Sequence, residues 1–269
     1  MRKLIRVAIL IILSATVLFP ILYLFSSAFF TKADWIGDSA RFLPSSISFD
    51  NLRLVLAKRN FAVYIKNSII TSILSSSIRT AVIIMAAFAY SHMEFKGKRT
   101  SMIMLLATLF IPSDALLYQN FSIISKLGLT DTYLGIILPS LFSASQLLLL
   151  SAAFHSLDKS YYDAARIDGS GDFIYITEVL IPLTEAIVMT VFIQSFISAF
   201  NSYLWPLLVT NKPRMRTIQI GLSMLGFSES GEKGAEMMSV LLISLPFIIL
   251  LSASRKWIEK ALINSSLYD

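Results

Sequence analysis

The side chains able to do chemistry in this sequence stand inside apolar runs. Arg79 closes the stretch Thr71-Ser-Ile-Leu-Ser-Ser-Ser-Ile-Arg79, and Asp114 lies two residues after Pro112. Gln146 and Gln194 each sit among aliphatic neighbours, and Asn201, Tyr203 and Trp205 share the cluster Asn201-Ser-Tyr-Leu-Trp-Pro-Leu207. Polar groups in such surroundings are costly in hydrocarbon and face a cavity or a partner helix. Arg79 admits two readings. One is a structural ion pair with Asp114 or with a neighbouring chain; the other is a cation placed to meet an anionic or hydroxyl-rich solute. A guanidinium suits phosphate, which it binds through two parallel hydrogen bonds. A pocket for a neutral sugar would lean instead on Tyr118, Tyr203, Trp205 and Asn201, residues that at helix ends also serve as interfacial anchors.

Other chemistries drop out. The chain has no cysteine, so thiol nucleophiles, disulfides and thiolate metal sites are excluded. Its two histidines, His92 and His155, lack metal-ligand spacing, and no metal site is expected. The segment Gly226-Phe-Ser-Glu-Ser-Gly-Glu-Lys233 lacks the Gly-Lys-Ser/Thr ending of a phosphate loop and has no strand before it. The sequence therefore offers no nucleotide site, no catalytic residue and no cofactor of its own.

The elements that carry these residues are membrane helices. Apolar residues make up 55% of the 269 and charged residues 15%, against roughly a quarter charged in a soluble domain; the mean hydropathy is +0.70. The net charge of +6 is scattered, without the aromatic-interleaved basic patch that nucleic acid requires. A crossing needs about 20 mostly apolar residues, and six runs qualify: 7–30, 64–92, 101–118, 133–154, 183–209 and 237–253. The first run is longer than the h-region of a signal peptide and is read as an uncleaved span. One membrane domain, residues 1–269, accounts for the chain, with loops at about 31–62, 119–132 and 210–235 on one side. Arg2, Lys3 and Arg6 before the first span, against Lys32, Asp34 and Asp38 after it, favour an N-terminus inside.

Between the fourth and fifth runs, at about 156–181, lies the one long amphipathic stretch: Tyr161-Tyr-Asp-Ala-Ala-Arg-Ile-Asp-Gly-Ser-Gly171, running on to Val179-Leu-Ile-Pro182. Lys159 and Asp163 stand four apart and Asp163 and Arg166 three apart, so a helix here could support its own charge pairs. Ala164 and Ala165 offer a small surface for close approach. Gly169 and Gly171 permit a sharp turn before a second helix enters the membrane.

This segment resembles the cytoplasmic coupling loop of ABC importer permeases, whose pattern is Glu-Ala-Ala, three residues, Gly, nine residues, Ile-x-Leu-Pro. Here Asp163-Ala164-Ala165, Gly169 and Val179-Leu180-Ile181-Pro182 keep that spacing. Asn67-Ser68, Phe95-Lys-Gly-Lys98, Ile111-Pro112, Leu127-Gly-Leu129, Asp131-Thr-Tyr133 and Asn201 to Leu207 extend the likeness to the carbohydrate-uptake branch. A basic residue at Arg79, the acid Asp114 and Tyr203-Leu-Trp-Pro-Leu207 look most like glycerol-phosphate importer permeases. Glu185 replaces a Pro usual in the family, and the tail Asn264 to Asp269 departs from its Gly-rich ending.

The resemblance implies an all-α type I permease fold of six transmembrane helices in the bacterial inner membrane, both termini cytoplasmic. It also implies a second permease subunit, two ATPase subunits that bind ATP and Mg, and an extracytoplasmic solute-binding protein. Asp163, Ala164, Ala165, Arg166, Asp168 and Gly169 would couple to the ATPase. An ion-coupled secondary transporter is the rival from another class, but Asp114 alone makes a poor relay and no internal repeat is visible.

Overall fold

The computed structural model describes residues 2–36, 41–58, 60–224 and 231–265, so Gly226 to Ser230 and the last four residues of the tail lie outside the described residues. Helices and turns make up the described chain, and no strand is found among them.

Helix α1 (Arg2–Ser27) is apolar on every side, and none of its most apolar window is buried within the chain. A helix of that kind must be covered by lipid or by another protein. Helix α2 (Phe61–His92) is a single run of 32 residues with neither Gly nor Pro. At 1.5 Å of rise per residue it spans about 48 Å. Its buried face changes character along its length. Asn67, Ser68, Thr71, Ser72, Ser75, Ser76, Arg79 and Thr80 are buried in the first two thirds, and Ile83, Ile84, Ala87 and Phe88 in the last. Small hydroxyl residues let neighbouring backbones approach closely and bond across the interface.

Helix α2 packs chiefly on α3 (Ala144–His155) and, past α4 (Lys159–Ile167), on α5 (Glu185–Phe200). Helix α6 (Lys233–Ser265) lies against α5, α1 and the short helix Asp50–Ala57. From that short helix Asn51 donates to the carbonyls of Ala28 and Phe30 at 2.9 and 2.8 Å, fixing the end of the first span.

Three helices are long and apolar enough to cross a membrane unbroken, and three bent pairs bring the number to six if each pair makes one crossing. The structure keeps six runs and adds that three of them bend. The runs 101–118, 133–154 and 183–209 are not continuous helices. Lys98–Phe110 and Ser113–Lys126 meet at 99°. The cause is Pro112, whose ring forces Ile111 into extended backbone, φ −91° and ψ 116°. Tyr133–Ser140 and Ala144–His155 meet at 57°, with Ser143 extended between them. Asp172–Leu183 and Glu185–Phe200 meet at 89°, around Thr184 at φ −115° and ψ 19°. The helix after the Gly turn therefore bends before the membrane run begins. Helix α5 stops at Phe200, and Leu204–Val209 forms a separate short helix. Irregular backbone at such depth is tolerated where protein or a polar cavity satisfies it.

Candidate functional site

Two apolar cores flank a polar middle. One gathers Phe88, Leu150, Phe154, Ala165, Tyr175 and Leu180 near the α4 end. The other gathers Phe61, Tyr64, Phe196, Phe200 and Ile218 at the opposite end. Between them lies a cavity of about 70 Å³ lined by Thr71, Ser75, Arg79, Ile136, Ile137, Ser140, Ser198, Ala199, Ser202 and Trp205. It forms where two helix breaks, after Ser140 and after Phe200, face the middle of α2.

Thr71, Ser75 and Arg79 recur every four residues and so line one face of α2. Arg79 is buried, and its Nε donates to the carbonyl of Ser140, the last residue of the helical leg Tyr133–Ser140. A helix end leaves carbonyls unpaired and carries partial negative charge, so a guanidinium there satisfies both. Ser75 and Ser140 hydroxyls lie 2.7 Å apart beside it. Trp205 donates from Nε1 to the carbonyl of Ile136 at 3.0 Å, which fixes its ring in the wall.

The other expected path residues are placed differently. Asp114 is exposed and forms no ion pair with Arg79; no carboxylate pairs with Arg79 among the described residues. The pairing of these two within the chain is thereby corrected, because the 99° bend after Ile111 carries Asp114 onto a separate helical leg. Gln146 is buried between helices, accepting from Ser195 Oγ at 3.1 Å and donating to the Val191 carbonyl at 3.4 Å. Gln194 is exposed. Asn201 is exposed and accepts from Gln219 at 3.3 Å. Tyr203 is exposed beside the cavity residue Ser202. Ser140, Ser198 and Ser202 line the cavity and do not stand out in the sequence. The four-residue interval between Ser198 and Ser202, matching that of Thr71, Ser75 and Arg79, is the signal that could have found those two; Ser140 carries no such signal.

At the far end of the bundle α4 projects between two turns. Asp158 caps its start, accepting the Ser160 N–H at 2.9 Å, and that bond holds its carboxyl below the usual carboxylate range. At its end the Gly169 N–H bonds to the Arg166 carbonyl at 3.1 Å and the Ser170 N–H to the Ala165 carbonyl at 2.9 Å. This paired closure needs a left-handed residue, and Gly169 has φ +78°. The two alanines part company. Ala165 packs into the bundle's own core, while Asp163, Ala164, Arg166, Asp168 and Gly169 are exposed. Ile167 and Phe173 are exposed by 86% and 77% beside them. Arg166 pairs with Asp172 at 3.5 Å, across the Gly turn, rather than with Asp163. Tyr162 donates to the same Asp172 at 2.8 Å; burial, with Asp172 beside it, raises its pKa above the usual range.

Helices broken around a polar cavity, with a capped helix projecting from one end, suit a membrane transport permease. The chain belongs to the family described as binding-protein-dependent transport system inner membrane component, which matches residues 80–264. It is thus the inner-membrane permease subunit of an ABC importer, working in a complex with ATPase and binding-protein partners. It is 29% identical over 266 residues to the sn-glycerol-3-phosphate transport system permease protein UgpE of Brucella abortus (strain 2308), covering 96% of this chain and 94% of that one. A protein of the same name from Rhizobium meliloti (strain 1021) is 29% identical over 258 residues, covering 93% and 92%. The fold matches, with a TM-score of 0.83 at 23% identity over 95% and 96% of the two chains, a crystal structure of a bacterial ABC transporter involved in the import of the acidic polysaccharide alginate.

Proposed function

We propose that this permease forms half of the translocation path for a carbohydrate-type solute bearing a phosphate or phosphodiester, glycerol phosphate being the favoured example. The other half is a second, different permease subunit. Two ATPase subunits hold ATP and Mg, and an extracytoplasmic binding protein delivers the solute. Helix α4 and Gly169 face the cytoplasm, which puts both termini inside. There the exposed Asp163, Ala164, Arg166, Asp168 and Gly169, flanked by Ile167 and Phe173, dock on an ATPase, with Ala165 seating the helix on the bundle.

The observation that carries the choice of solute is Arg79. It is a buried guanidinium in a cavity walled by hydroxyls, and none of the described lining residues is acidic. A cation with hydroxyl donors around it suits an oxyanion and the hydroxyls of a polyol. The names of the relatives support the same class. Trp205 in the same wall favours a second reading, a neutral oligosaccharide packed on its ring.

The test is uptake into proteoliposomes holding the complete transporter, with glycerol phosphate and a neutral disaccharide as alternative solutes. Arg79→Ala should depress uptake of the phosphorylated solute about tenfold more than that of the neutral one, the scale of one lost charge-assisted hydrogen bond. Equal losses on both solutes would return Arg79 to a purely structural role. Uptake sustained by an ion gradient without ATP would overturn the importer reading as a whole.

A further inference from the structure

Two routes lead from α4 back to the cavity. The covalent one leaves Gly169, follows Asp172–Leu183 and enters α5. It passes a π-helical segment at Ile176–Leu180, then Pro182, then the 89° bend at Thr184. Such joints are where helices flex and absorb displacement.

The second route is not covalent, and it is stiff. His92 ends α2, and its ring stacks on Phe88 at 5.1 Å. It meets Tyr162 of α4 at 5.3 Å and Tyr175 at 5.4 Å, and those two rings are 5.0 Å apart. Both imidazole nitrogens are engaged: Nδ1 lies 2.8 Å from Ser91 Oγ and Nε2 3.3 Å from the Tyr175 hydroxyl. Tyr162 holds Asp172, which holds Arg166. Tyr175 is 1% exposed. Helix α4, the turn after Gly169 and the end of α2 thus close into one packed unit. Edge-to-face aromatic contacts of this kind add specific geometry to apolar burial. Arg79 lies on the same rod as His92, about 20 Å away by helical rise, with neither Gly nor Pro between them.

We propose that His92, Tyr162 and Tyr175 form the joint through which movement of α4 is handed to α2, which shifts as a rigid rod and carries Thr71, Ser75 and Arg79 with it. The joint rests on the reading of α4 as the ATPase-docking helix. It adds to that reading a specific route, past the compliant covalent link and along the long unbroken helix α2. These three are positioning residues; none of them touches the cavity.

The experiment uses the complete transporter in proteoliposomes, spin-labelled at Lys66→Cys on α2 and at Lys126→Cys, with the distance read before and after trapping by ATP and vanadate. A second reporter, Ile167→Cys, is cross-linked to the ATPase. With His92→Ala, the fraction of molecules that change distance should fall about fivefold or more, the size of a modest coupling between sites, while the Ile167→Cys cross-link persists. Tyr175→Phe, which keeps the ring and loses only the hydroxyl, should fall between wild type and His92→Ala. An undiminished distance change in His92→Ala with the cross-link intact would overturn the joint and leave the docking reading standing. Absence of the cross-link in the unsubstituted protein would sink the docking reading and the joint with it. Should His92→Ala fail to insert, Tyr162→Leu makes the same break from the α4 side and decides by the same two readouts.

Discussion

Asp131 holds Asn211, 80 residues further along the chain: its Oδ1 accepts the backbone N–H of Asn211 at 2.7 Å and that of Lys212 at 2.8 Å. Its own N–H donates to the Val209 carbonyl at 2.8 Å. Asp131 is also a non-glycine residue at φ +57°, a conformation that Asp and Asn tolerate better than most residues. Two loop segments, distant in sequence, are thereby stitched at one carboxylate. Asp131→Ala should destabilise the protein by about 2 kcal/mol, since it removes two bonds to a charged acceptor. Asp131→Asn, keeping one oxygen and the backbone tolerance, should recover about half of that loss. Thermal unfolding in detergent reads both, and equal losses for Ala and Asn would refute the stitch.

The loop that follows the first span carries a pH-sensitive anchor. Asp34 accepts from Ser45, from the Thr31 N–H at 2.9 Å and from its hydroxyl at 2.8 Å, and it pairs with Arg41 at 3.2 Å. The bonds from Ser45 foremost, and then those from Thr31, outweigh burial and lower its pKa from 3.8 to about 2. The folded value is the lower of the two, so the charged form stabilises the loop above about pH 4, and that stability is lost as pH falls towards 2. Fluorescence of Trp35, isolated by replacing Trp205 and Trp257 with Phe, should report loop opening in that window. Asp34→Asn should show the opened signal already at neutral pH. A wild-type signal flat from pH 5 to pH 2 would remove the anchor.

Much of this architecture is legible in the sequence, and the reasons are physical. Helices α1, α2 and α6 declare themselves because each is a long apolar run without an interior break strong enough to end it. The α4 segment declares itself because polar residues at helical spacing followed by Gly169 are rare between two apolar runs, whereas the cap at Asp158 emerges only from the structure. The bends are harder to see. Pro112 is visible in the sequence, yet its 99° consequence is not, because proline can also kink a helix slightly and let it continue. Ser143, Thr184 and Asn201 break helices with residues that elsewhere in this chain, as in α2, sit in unbroken helix. The partner of Arg166 is equally hidden: spacing along α4 suggests Asp163, whereas the Gly turn folds Asp172 back within 3.5 Å. Tertiary closure decides between two acids that local spacing cannot rank.

Gly169 separates conformation from bulk. An added Cβ there would meet nothing within 4 Å, but φ is +78°. The cost of a side chain is therefore conformational, about 1–2 kcal/mol for an ordinary residue in left-handed backbone. Gly169→Val should open the α4 closure and lower solute imported per ATP severalfold while the protein still inserts. Gly169→Asn, which tolerates this region, should stay near wild type. Transport and ATP hydrolysis in proteoliposomes measure the ratio. If Asn fails as badly as Val, the glycine serves contact with the ATPase rather than backbone geometry.

Gln146 is the case in which a polar residue in a span stands apart from the cavity. It is buried, it is not among the described residues lining the cavity, and its amide bridges α3 to α5 through Ser195 and Val191. Removing one member of a buried hydrogen bond leaves the other unsatisfied, at about 1–3 kcal/mol. Gln146→Ala and Ser195→Ala should therefore each lower the unfolding temperature, and the double variant should cost less than their sum, as contacting residues do. Neither should change the ratio of glycerol phosphate to disaccharide uptake, whereas Arg79→Ala should. The contrast pins the proposed selectivity on the Thr71–Ser75–Arg79 face of α2. A selectivity change in Gln146→Ala as large as that in Arg79→Ala would extend the path through the α3–α5 contact and dissolve the boundary drawn here between structural and solute-facing polar groups.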